Sequence, residues 1–167
     1  MSEGGAQRIL LPWSRTCIVC GADNPIGLRA RSYKVGDAVH LPFATRREHG
    51  GWSDVTHGGF VATVLDEVMT WAAILGSRKP CFAADFNVRM LEPLAAGTSC
   101  TAIGRLVKAR RRIFDLESWL EDDEGRVYAR GSGRYMPVPP ERARHFRDDF
   151  VTTDDCLDLD HIFRSGA

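Results

Sequence analysis

The sequence predicts an α+β fold in which one enclosed helix is inserted between a short hairpin and a four-strand antiparallel meander. Three observations carry this. Apolar residues recur at helical spacing in a single stretch, at Val61, Val64, Leu65, Val68, Ala72 and Leu75. Four long runs of alternating character follow it, with no strand–helix–strand alternation of the parallel kind. A chain of 167 residues with 44% hydrophobic side chains suffices for one ordinary core.

Residues 1–27 read as an irregular arm and loop, because Gly4, Gly5, Pro12, Gly21, Asn24, Pro25 and Gly27 interrupt any periodicity. Leu28–Lys34 and Ala38–Ala44 read as a hairpin turning around Val35-Gly36-Asp37. The helix is expected over about 57–75, capped by Thr56 or Asp54 and stopped at Gly76 ahead of Arg78, Lys79 and Pro80. Its other faces carry Phe60, Ala62, Met69, Trp71, Ala73 and Ile74, so it is enclosed rather than lying on a surface. The later strands are Phe82–Leu91, Ser99–Lys108, Ile113–Glu121 and Val127–Met136. In the first, Phe82, Ala84, Phe86, Val88 and Met90 face one way, and Asp85, Asn87 and Arg89 the other. The folded domain thus spans 28–138. Residues 139–167 form a tail with room for a short helix that packs through Phe146, Phe150, Leu157, Leu159 and Phe163.

Twenty-two basic residues balance 22 acidic ones, which removes the basic field of a nucleic-acid or anionic-membrane binder. The N-terminus lacks a signal-peptide pattern, and Phe60–Leu75, broken by Thr63, Asp66, Glu67 and Thr70, falls short of a bilayer span. Five cysteines without framework spacing point to reduced thiols in a cytoplasmic setting. Cys17 and Cys20 have the spacing of half a zinc site, but no second pair is near in sequence and only His40 or His49 is left to complete it. A structural thiol pair and no metal is the expectation.

The chemistry concentrates at Thr56-His57-Gly58-Gly59 and at Asp66-Glu67. Two glycines at a helix start disfavour the helix and free backbone N–H groups for a developing negative charge. Asp66 has Ala62, Met69, Thr70 and Ala73 as helical neighbours and no cation, so desolvation raises its pKa, as suits a general base or nucleophile. The pattern leaves open that Asp66 or Glu67 merely reaches solvent; Glu67 fits that dull role better. Gly58 and Asp66 are roughly 12 Å apart along the helix axis, too far to share one carbon within a chain. A site using both requires two antiparallel copies of the helix.

The hairpin, His57-Gly58-Gly59 with Asp66 nine residues on, and Asp85-Phe86-Asn87-Val88 with Glu92-Pro93 together resemble the hotdog-fold acyl-CoA thioesterases of the phenylacetyl-CoA thioesterase (PaaI-like) group. The resemblance covers about 17–138. Cys17-Ile18-Val19-Cys20-Gly21 with Asn24-Pro25-Ile26-Gly27-Leu28 resembles the N-terminal signature of one branch, and Arg111-Arg112, Glu117 and Asp123-Glu124-Gly125-Arg126 the last hairpin. It implies a sheet wrapped around the helix and a homodimer or dimer of dimers with the site at the subunit interface. It also implies hydrolysis of an acyl-CoA without metal or prosthetic group, coenzyme A being part of the substrate.

By the same resemblance Gly58, with Gly59, binds the oxyanion, Asp66 of the other subunit activates water or attacks the carbonyl, and His57 orients the site. Trp52 and Trp71 flank the motif and read either as core or as walls of an acyl channel, and Ala83 and Ala84 are candidates for the acyl site. Lys108–Arg112 reads first as a solvated hairpin tip, with pairing of Arg110, Arg111 and Arg112 to coenzyme A phosphates as the functional alternative. Two positions depart from the pattern: Gly51 and Ala83 stand where relatives carry a polar Asn or Gln and a Ser or Thr. The departures motivate an alternative, a non-catalytic acyl-CoA binding or sensing module on the same fold. A dehydratase is disfavoured because His57 and Asp66 lie too far apart in one chain.

Overall fold

The computed structural model describes residues 7–163. In chain order the elements are β1 (Ile9–Leu10), β2 (Trp13–Ser14), β3 (Tyr33–Val35), β4 (Ala38–Ala44), a 3-10 turn (Arg47–His49), β5 (Gly50–Trp52), β6 (Val55–Thr56), α1 (Gly58–Ser77), β7 (Cys81–Met90), β8 (Ser99–Ala109), β9 (Phe114–Asp122), β10 (Val127–Pro137), α2 (Pro140–Asp148), β11 (Phe150–Val151) and α3 (Leu159–Ile162). Seven strands make one antiparallel sheet in the order β1-β3-β4-β8-β9-β10-β7, and α1 packs against β4 and β7 to β10.

The hairpin turns at Gly36, whose φ of 55° suits glycine. Its first strand is shorter than the sequence suggested, because Leu28 and Ala30 donate their N–H groups to the carbonyls of Ile18 and Val19 in the arm rather than to a strand. The arm is also less irregular than expected, since it contributes β1 and β2.

Helix α1 buries Val61, Val64, Leu65, Val68, Met69, Trp71, Ala72, Ala73 and Ile74. By length and hydropathy alone it passes as a membrane span, contrary to the sequence estimate, yet here it is the core helix beneath the sheet. Its cap is His57, not Thr56 or Asp54, and it runs through Gly76 to end at Arg78 with φ 58°. Gly76 serves packing rather than termination: a Cβ there would lie 2.7 Å from Leu106 Cδ2. Gly104 of β8 does the same at mid-helix, where a Cβ would lie 2.7 Å from the Val68 carbonyl.

Only β8, β9 and β10 form a meander. β7 pairs with β10 at the far edge of the sheet, so residues 91–98 carry the chain from that edge to the middle. That crossing is fixed by backbone bonds from Leu91 to Tyr128, Ala96 to Asp54 and Gly97 to Thr45. The alternation within β7 is also corrected. Tyr135 pairs with Ala83 and Arg134 with Asp85, leaving Ala84 as the extra residue of a bulge. Cys81 and Ala83 therefore face the core together with Val88, whereas Phe82 and Ala84 point outward and are exposed.

The tail returns to the arm: β11 pairs with β2, and Leu157 donates to the Leu10 carbonyl. Phe150 packs on Trp71 at 5.3 Å between ring centroids and on Phe163 at 5.8 Å. Leu157 and Leu159 join the same core, but Phe146, expected to pack, is 44% exposed. The β1 side of the sheet is thereby covered, while among the described residues β7 keeps an open edge that exposes Phe82, Phe86 and Met90.

Candidate active site

The start of α1 is held from behind by backbone bonds from Thr56 to Leu94 and from His57 to His49, each 2.8 Å. His57 Nδ1 accepts the Gly59 N–H at 2.9 Å, which places the proton of the neutral ring on Nε2. Phe60 and Val61 donate to the His57 carbonyl. Of the two glycine amides, that of Gly59 is thus already engaged, while that of Gly58 meets no acceptor among the described residues. Gly58 faces a cleft of about 420 Å³ lined by Trp52, His57, Met90, Leu91, Glu92 and Tyr128. Trp52 stands at 83% exposure on its wall. Gly51 packs against His57, and a Cβ there would lie 3.1 Å from the ring, so the ring occupies the space a larger side chain needs.

Asp66 sits half-buried on α1, and the Tyr135 hydroxyl donates to its Oδ1 at 2.6 Å. Oδ2 takes no hydrogen bond among the described residues. Burial raises the pKa of the carboxyl, and the Tyr135 bond works against that rise. The Tyr135 phenol is fully buried, and burial together with Asp66 holds its pKa above the usual value, so it stays a donor. Tyr135 pairs across the sheet with Ala83, so the phenol reaches Asp66 at the position where the resemblance led us to expect a Ser or Thr. Sequence reasoning missed Tyr135; its inward place on an alternating strand, with a hydroxyl that must find a partner, was the available signal.

The chain does not bring these two halves together, since Asp66 is absent from the cleft beside Gly58. Arg110, Arg111 and Arg112 are exposed at the β8–β9 tip, beyond Leu106 and hence near the C-terminal end of α1, away from Gly58. Arg110 is paired with Asp115 at 2.9 Å. Ala83 lies in the core and Ala84 on the outward bulge; neither lines the cleft. Trp71 is 2% exposed against the tail, so it is a core residue rather than part of an acyl channel. Glu67 is not the dull solvent-facing acid of the sequence reading. It lies against Cys17, whose thiol is 3.6 Å from Oε2, and burial pushes its pKa up to about 8.

Solved structures share this architecture. The PaaI protein of the E. coli phenylacetic acid degradation operon matches with TM-score 0.61 at 13% identity, over 67% of this chain and 81% of that one. A thioesterase from Haemophilus influenzae matches with TM-score 0.64 at 17% identity, over 71% and 85%. A Streptococcus mutans protein bound to acetyl-CoA matches with TM-score 0.57 at 13% identity, over 61% and 82%. The fold is the hotdog fold, an antiparallel sheet packed on one central helix. Residues 54–129 match the family model of the thioesterase superfamily. No curated protein matches the sequence.

Proposed function

We propose that the protein is a PaaI-like thioesterase that hydrolyses acyl-CoA as a homodimer, each site combining Gly58 of one chain with Asp66 of the other. One observation carries the reading: both halves of the site abut the same open strand, at opposite ends. Met90 Cε lies 3.3 Å from where a Gly58 Cβ would be, and Ala83 pairs with Tyr135, which binds Asp66. Antiparallel pairing of β7 with a second copy about its middle sets residue 90 beside the partner's residues 82 and 83. Gly58 then faces the second copy's Asp66, in agreement with the spacing along the helix.

The Gly58 N–H, at the positive end of α1, donates to the thioester oxygen as it becomes negative, a contribution on the order of 3 kcal/mol by comparison with other such donors. Asp66 uses its free oxygen either to take a proton from the attacking water or to attack the carbonyl carbon, while Tyr135 fixes the other oxygen. The carbon–sulfur bond breaks and coenzyme A leaves as the thiol on taking a proton, from Asp66 in the first route; in the second, water then cleaves the acyl–Asp66 anhydride to free acid and carboxylate. His57 holds the first turn and presents its Nε2 proton to the cleft, and Trp52 offers an apolar wall for the acyl group. With a rise of 1.5 Å per residue, Gly76 of the second copy falls roughly 15 Å beyond Gly58, so the second copy's Arg110, Arg111 and Arg112 lie where pantetheine leads the phosphates. The free thiols agree with a reduced, cytoplasmic setting.

The test is thiol release from a panel of aliphatic and aryl acyl-CoAs, comparing wild type with Asp66→Asn at matched dimer content. Hydrolysis lost in the variant is the expected result. Binding of acyl-CoA without hydrolysis across the panel would instead favour the sensing module, for which Gly51 and Ala83 are the specific observations.

A further inference from the structure

We propose that Cys17, Cys20 and Glu67 form a zinc site that fastens the N-terminal arm to the central helix, with water as the fourth ligand. The two sulfurs and a carboxylate oxygen lie within 4.8 Å of one another. A tetrahedral zinc with bonds of about 2.3 Å to sulfur and about 2.1 Å to oxygen separates an S and an O donor by about 3.6 Å. Cys17 Sγ and Glu67 Oε2 are 3.6 Å apart.

The loop is shaped to hold the sulfurs in place. Val19 and Cys20 N–H groups point at Cys17 Sγ from 3.3 and 3.4 Å, and the Ser14 N–H at Cys20 Sγ from 3.5 Å. Such donors orient a thiolate and offset its charge. Gly21 closes the loop by donating to the Cys17 carbonyl, and a Cβ there would lie 2.5 Å from that oxygen, so glycine is required. No lysine or arginine pairs with Glu67 among the described residues, although thiol and carboxyl groups converge there. A divalent cation supplies the missing charge, displacing the protons held by the two thiols and the Glu67 carboxyl as it binds. Sulfur ligands exclude magnesium and calcium, and zinc accepts mixed sulfur and carboxylate sets without redox chemistry. Cys20 is 5% exposed, whereas Cys17 and Glu67 are half-buried, leaving a side open to water. Both cysteines lie in the arm, outside residues 54–129 that match the superfamily model. It is independent of the proposed hydrolysis.

The test uses the full chain, purified with a phosphine reductant and no chelator. Elemental analysis should find about one zinc per chain. After chelation, cobalt(II) added alone should give thiolate charge-transfer and tetrahedral d–d absorption that saturates near one equivalent. Cys20→Ser should abolish both signals, Glu67→Gln should weaken cobalt binding at least tenfold, and Cys156→Ser should change neither. Should Cys20→Ser fail to fold, chelated wild type and Glu67→Gln, followed by circular dichroism, carry the comparison. Reduced, folded wild type that holds no zinc and takes up no cobalt overturns the proposal, including the case where its two thiols pair only as a disulfide on oxidation. Cobalt binding unchanged in a folded Cys17→Ser, Cys20→Ser double variant overturns it as well.

Discussion

Under the proposed mechanism, the 2.6 Å bond from Tyr135 to Asp66 gives the tyrosine a positioning role, acting through the carboxylate rather than on the substrate. Tyr135→Phe should lower kcat by about tenfold or more with little change in KM, since a hydrogen bond to a charged group is worth about 1.5–3 kcal/mol. Steady-state kinetics on one hydrolysed acyl-CoA checks this, and an unchanged kcat would make the bond purely structural. His49 offers a second test. Its ring stacks on Phe60 at 3.9 Å between centroids, Nδ1 accepts the Arg46 N–H, and burial followed by the Arg46 charge lowers its pKa. The unfolded chain therefore takes up a proton at pH values where the folded chain does not. Stability is full above the unfolded histidine value of about 6.5, declines as pH falls toward the lower folded value, and levels off below it. His40, lowered for the same first reason, adds to the decline, so His49→Gln should flatten the fall in Tm between about pH 6.5 and 5 without removing it. At this scale the sequence was legible where a residue's value is local. Gly58 and Asp66 stood out because glycine and acid are unfavourable on an apolar helix, whereas Tyr135 and Glu67 owe their surroundings to β7 and to the arm, which no spacing reveals.

The helix was readable because its period is internal to one stretch, and the long strands were readable for the same reason. Their neighbours were not. Alternation says which face a residue takes, not which strand lies beside it, so β7 seemed to adjoin β8 when its partner is β10. A single bulged residue, Ala84, then reversed the faces of Phe82 and Ala84. Two predictions belong here. Gly104→Ala places a methyl 2.7 Å from the Val68 backbone, and because neither α1 nor β8 yields locally it should lose about 1–3 kcal/mol of stability, measured by urea unfolding. Phe86→Arg puts a charge in the middle of the open strand β7, which should yield a folded monomer by sedimentation and abolish hydrolysis. A dimer that survives this change would place the interface elsewhere.

Across the whole molecule, a site shared between chains has a signature that no single variant gives. Gly58→Pro removes the amide proton while suiting the first helical position, since His57 already has the extended backbone, with φ −62° and ψ 133°, that precedes a proline. Gly58→Pro and Asp66→Asn should each be inactive alone. Mixed and allowed to exchange, they should recover up to about a quarter of wild-type activity, because half the dimers become mixed and each mixed dimer rebuilds one of two sites. No recovery despite demonstrated exchange would return the whole site to one chain. The two edges of the sheet also differ in a way that bears on assembly size. Hydrogen-bonded sheets grow by edge addition, and unlimited addition ends in fibres. Here the tail pairs with β2 and reaches Leu10 on the β1 flank, while β7 stays bare. The proposed two-fold pairing of β7 would use the bare edge of both partners at once, and a sheet so paired would stop growing at two chains.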